Sequence, residues 1–173
     1  MALGDLGLLQ QLAQRVCSRL AGEVPGLSVH AGTDYAGSDD PRVRMLLESG
    51  GHLDWVALAF APFSLWDLHV GLVLVQDHVS VGVHASSRRW PEPPPPLARA
   101  ALAVGAQYTH AATAREHQFN LPPRRFTKTM VAALERRTFS LCRLTAATLP
   151  SLVDAPESTG RRATPMDTGG EER

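Results

Sequence analysis

The sequence predicts an α+β fold on three observations: a helical period near the start, alternating β-branched segments in the middle, and two helical patterns after a proline-rich break. The first is residues 5–21. Leu6, Leu9, Leu12, Ala13, Val16, Cys17 and Leu20 recur at spacings of three and four, which gives one apolar face, and Gly22 and Pro25 stop the helix. Residues 27–31 read as a short strand. Residues 32–41 are dense in turn formers, among them Gly32, Asp34, Gly37, Ser38 and Pro41, and read as a loop.

Segments 42–48 and 53–61 flank Gly50 and Gly51 and are expected to pair as a hairpin. Arg42 and Arg44 would share one face and Val43, Met45 and Leu47 the other; a helix over 42–48 is the competing reading. The clearest hairpin joins 68–75 to 79–85. A two-residue turn at Asp77 and His78 would pair Val75 with Ser80, Val73 with Gly82 and Gly71 with His84, leaving His69 diagonal to His84. Val70, Leu72 and Leu74 then meet Val79, Val81 and Val83 on the core face.

Residues 91–96 are a stiff polyproline hinge. The alanine-rich stretch 97–115 should be helical despite Gly105. Leu121, Pro122 and Pro123 break the chain, and a long helix runs from 124 or 126 to about 149. From 154 onward Ser, Thr, Gly, Pro and charge dominate, which predicts disorder. The expected architecture is one domain over 1–153: an N-terminal helix, an antiparallel sheet of four to five strands and two C-terminal helices packed on it, followed by a tail over 154–173.

Composition narrows the function classes. The chain has 173 residues, of which 44% are hydrophobic, enough for one core. Cys17 and Cys142 are too few for a disulfide framework and are expected to be buried reduced thiols. No apolar run approaches the roughly eighteen residues of a membrane span, and Asp5 with no basic leader argues against a signal peptide, so a cytoplasmic protein is expected. Asp34, Asp39 and Asp40 do not follow the calcium-loop spacing, and His110 and His117 stand seven apart, too far to share an ion on one helix. Phosphate-binding glycine loops, nucleophile elbows, zinc fingers and RNA-binding aromatic motifs are absent. No cofactor is predicted, and the balance of signals is against an enzyme. Trp90, between Arg89 and Pro91, is expected to be the most exposed tryptophan.

The zero net charge hides a segregation along the chain. Residues 20–87 hold eight acids against Arg42 and Arg44, while residues 88–143 hold ten bases against Glu92, Glu116 and Glu135. Such asymmetry points to an acidic or nucleic-acid partner, or to two halves that neutralise each other. At about 100° per residue, Arg125, Lys128, Arg136, Phe139 and Arg143 fall on one stripe of the last helix, opposite Met130, Leu134, Leu141 and Thr148. The expected function is therefore a small interaction domain whose arginine-lined face contacts an acidic protein surface, its own second copy included. Nucleic-acid binding through the same helix, without membrane contact, is the alternative. A second alternative, a metal-dependent or histidine-based hydrolase, rests on the polar hairpin face. There His69, Gly71, Gly82 and His84 would form a groove, glycine in a strand suggesting close approach of a ligand. The sequence names no third metal ligand.

Overall fold

The computed structural model describes residues 4–33, 45, 53–109 and 115–154. Helix α1 (Gly4–Leu20) opens the chain. Its stripe of Leu9, Leu12, Ala13, Val16 and Leu20 is fully buried, as the spacing requires. Strands β1 (Leu27–Thr33), β2 (Leu53–Phe60), β3 (Leu68–Val75) and β4 (His78–Ser86) follow. Then come α2 (Pro95–Ala103), β5 (Gln107–Thr109), β6 (Glu116–Asn120), β7 (Arg124–Arg125), a 3-10 turn (Lys128–Met130) and α3 (Val131–Val153).

All strands lie in one antiparallel sheet of order β1-β2-β3-β4-β6-β5, with β7 also paired to β4. The α+β class therefore holds, with seven strands among the described residues rather than four or five. Val56, Leu58 and Phe60 of β2, Val70, Leu72 and Leu74 of β3, and Val79, Val81 and Val83 of β4 share one core with α1, with Leu97 and Ala101 of α2, and with Leu134, Leu141 and Leu152 of α3. Each fully buried leucine there contributes about 2 kcal/mol. Helices α1, α2 and α3 thus cover one face of the sheet. The other face carries the alternate residues: Ala57 and Ala59, His69 and Gly71, Gly82 and His84, and Glu116, Gln118 and Asn120.

Several expectations change. Both edges of β2 are filled, by β1 from Leu27↔Phe60 to Thr33↔Asp54 and by β3, and Met45, the one described residue of 42–48, is helical, in line with the competing reading. That segment apart from Met45, the Asp34–Asp40 loop, His110 and the tail beyond 154 lie outside the described residues. The β3–β4 turn falls at Gln76 and Asp77, with Gln76 at φ 56°, so the register shifts by two and His69 sits directly opposite His84. A shift by two keeps every side chain on its predicted face.

The helix expected over 97–115 stops at Ala103. Gly105 takes φ 84°, its N–H bonds Leu102 O at 3.0 Å, and the Ala106 N–H bonds Ala101 O at 3.2 Å. That pair of bonds is the glycine-ended Schellman stop, open to a residue without a Cβ. The chain then turns into β5 and β6. The last helix also starts later than predicted, because Arg124 and Arg125 extend along β4 instead. Trp90 is buried, edge-on to Phe63 at 5.4 Å, whereas Trp66 is exposed. Both cysteines are free, and Cys142 is buried. Among the described residues, no helix is long and apolar enough to cross a membrane.

Candidate metal centre on the polar sheet face

The polar face brings two histidines and a carboxylate together because three neighbouring strands present them at matching register. His69 of β3 faces His84 of β4, and the next strand places Gln118 opposite His84 and Glu116 opposite Ser86. The two imidazole centroids are 4.7 Å apart. Both rings lean over Gly71: a Cβ there would stand 3.4 Å from His69 Cδ2 and from His84 Cε1. Gly82 serves the neighbouring position, since a Cβ on it would overlap the Asn120 carboxamide. The glycines predicted to allow close approach thus accommodate the protein's own side chains.

One ligand-type atom each from His69, His84 and Glu116 lies within 4.8 Å of the other two. His69 Nδ1 donates to Leu65 O at 2.8 Å, which leaves its Nε2 as the ring's lone-pair nitrogen. His84 Nδ1 lies 3.3 Å from Glu116 Oε2, and His84 Nε2 lies 3.4 Å from Asn120 Oδ1. Gln118 Nε2 donates to Glu116 Oε2 at 3.4 Å, and Asn120 Nδ2 donates to Gln118 Oε1 at 3.3 Å. Glu116, Gln118 and Asn120 therefore form a polar ladder up β6 beside the histidine pair.

Burial, reinforced by His84 alongside, lowers the His69 imidazole from 6.5 to about 4. The ring is neutral at pH 7, the form that binds metals. Burial acts to raise Glu116, but the hydrogen bond and charge of His84, with His69 behind it, outweigh burial and hold the carboxyl at about 2. An ionised carboxylate beside a neutral imidazole is the donor state a cation requires.

Of the groove residues read from the sequence, His69, Gly71, Gly82 and His84 come together as expected, with the two histidines direct rather than diagonal partners. Glu116 is the third ligand that sequence reasoning missed. Its signal was the alternation of Glu116, Gln118 and Asn120 with His117 and Phe119, a strand pattern in the short segment between the expected helix and the break at Leu121. His117 faces the core side, where its Nε2 donates to Trp90 O at 2.7 Å and its Nδ1 accepts from Tyr108 OH at 3.0 Å.

The cationic stripe does not assemble as drawn. Arg125 is on β7 and pairs with Asp77 at 3.0 Å; Lys128 is in the 3-10 turn. Only Arg136, Phe139 and Arg143 are on α3. Arg143 pairs with Glu23 at 3.2 Å, and the Arg19 guanidinium covers the Phe139 ring at 4.3 Å from its centroid. Glu135 is held by Arg15 at 2.9 Å and Arg19 at 3.5 Å. The acidic and basic segments thus neutralise each other at Asp77–Arg125 and Glu23–Arg143. Comparison with protein-family models, curated proteins and solved structures finds no match to the chain.

Proposed function

We propose that this protein is a metal-binding domain that holds a borderline divalent transition-metal ion, with Zn²⁺ as its type, between His69, His84 and Glu116. The observation that carries the reading is the convergence of three ligand atoms within 4.8 Å, from three strands, on a nearly buried face. Two imidazoles and one carboxylate suit zinc and its neighbours, whereas calcium and magnesium take mostly or wholly oxygen ligands. Three protein ligands are also the number that hydrolytic zinc centres use, with water in the fourth position, so metal-assisted hydrolysis is the enzymatic form of this reading. Titration calorimetry on chelator-treated protein tests it. One equivalent of Zn²⁺ should bind, and His69→Ala and Glu116→Gln should each remove that binding. Equal heats from the wild type and both variants would end the proposal.

A second reading keeps the basic surface. Arg124, Lys128 and Arg136 are exposed and, among the described residues, have no acidic partner. We propose this reduced set as the contact for an acidic protein surface. Self-association is the weaker version of that contact, because Asp77 and Glu23 are already engaged within the chain. Light scattering at tens of micromolar distinguishes the forms: a dimer that Arg124→Glu with Arg136→Glu dissociates supports self-association, and a monomer removes it. A salt-sensitive shift of labelled nucleic acid would transfer the surface to that partner instead.

A further inference from the structure

We infer that the ion is bound by His69 through Nε2 and by His84 through Nδ1, and that Asn120 is the positioning residue that fixes this choice of nitrogens. The inference rests on the metal-binding reading above.

The two rings are constrained from outside. His69 has its Nδ1–H committed to Leu65 O at 2.8 Å, so only Nε2 can face an ion. His84 is different: both of its nitrogens face oxygen acceptors, Glu116 Oε2 at 3.3 Å from Nδ1 and Asn120 Oδ1 at 3.4 Å from Nε2. A neutral imidazole has one N–H and satisfies one oxygen. The second contact requires another electrophile on the ring, a proton or a metal ion. Glu116 is the charged oxygen of the two, and the cluster that includes His69 lies with it. An ion therefore belongs on Nδ1, between the ring and Glu116. The remaining N–H is then on Nε2, aimed at Asn120 Oδ1.

Every ligand would then have an outer partner of the right sense. Leu65 O accepts from His69, Asn120 Oδ1 accepts from His84, and Gln118 Nε2 donates to Glu116 Oε2. Metal-ligating histidines almost always donate their other N–H in this way, which fixes the tautomer and raises ligand basicity. Asn120 is held in turn, because its Nδ2 donates to Gln118 Oε1, which directs its oxygen at His84. Gly82 makes the arrangement possible: it pairs with Asn120 across the strands, and any Cβ there would occupy the carboxamide's place. The small residue and the amide form one device.

Two measurements on the zinc-loaded protein test this. Long-range ¹H–¹⁵N spectra should show His84 with a protonated Nε2 and an unprotonated Nδ1 shifted by the metal; the reverse pattern overturns the assignment whether or not any variant folds. Zinc affinity should fall about 10- to 100-fold in Asn120→Leu, which keeps the branched shape and removes the acceptor. Asn120→Asp keeps an acceptor oxygen and should bind within about threefold of wild type, on the same principle. Loss of affinity in both variants would make Asn120 a packing residue and overturn the inference. Unchanged affinity in Asn120→Leu, with tight wild-type binding, would overturn the role of Asn120 and leave the metal site standing. Absence of zinc binding in the wild type would end both.

Discussion

The polar sheet face and the C-terminal basic surface were both visible as patterns of residue types, yet folding completed the one and dispersed the other. The difference lies in how each pattern depends on element boundaries. A strand pair transmits faces through alternation, so a register two residues off still put His69, Gly71, Gly82 and His84 together. A helical stripe depends on where the helix begins. Once residues 124–125 became β7 and 128–130 a 3-10 turn, Arg125 and Lys128 left the α3 row. Of the remaining row, Arg143 found Glu23 and the Phe139 ring found Arg19, both from the first 25 residues, while Arg136 stayed exposed.

The largest expected effect is on the sheet face. His69 has a pKa of about 4 in the folded chain against 6.5 without burial, so between those values the unfolded state binds more protons and stability falls as pH drops. Metal-free protein should lose about 3 kcal/mol between pH 7 and pH 4 from this group. Glu116, at about 2 against 4.5, adds a further loss below pH 4.5 with the same sign. Urea unfolding at pH 7 and pH 4 measures the first loss, and equal stabilities would contradict the buried neutral imidazole.

The next effect separates the two glycines. Gly82→Ala should cost about 1–3 kcal/mol, because its Cβ displaces Asn120 and also stands 2.9 Å from Phe119 O. Gly71→Ala meets the imidazoles at 3.4 Å, an ordinary contact, and should leave thermal stability within about 0.5 kcal/mol. Equal costs at the two positions would contradict the packing described. On the basic surface the effects are smaller. Arg19→Ala removes the cation over Phe139 and one partner of Glu135, and should cost about 1 kcal/mol in urea unfolding. Arg143→Ala breaks an exposed pair and should change stability by less than about 0.5 kcal/mol; a larger loss would show that the pair is more than a surface contact.

Legibility in the sequence followed the strength of the local pattern. α1 and the β3–β4 hairpin were readable because apolar residues repeat without interruption. β6 was not, since Phe119 is its one strongly apolar residue and the preceding alanines favour a helix. Glu116 was lost with it, and so was the third ligand. Gly105 carried the missing information: read as a tolerated interruption, it is the helix stop that frees the following residues to form strands. Partner choices such as Arg19 with Phe139 depend on how α1 and α3 cross, which no local pattern specifies.

The way β6 hands the edge of β4 to β7 has a further effect. Asn120 pairs with Gly82 and Arg124 with Val79, four residues along one strand against three along the other. The extra residue is a bulge, at a stretch where Pro122 and Pro123 have no N–H to offer a ladder. It reverses the alternation, so Arg124 emerges on the helix side with Val79 rather than on the side of Asn120. One inserted residue thus sets Arg125 on the polar side opposite His78, where Asp77 pairs with its guanidinium at 3.0 Å.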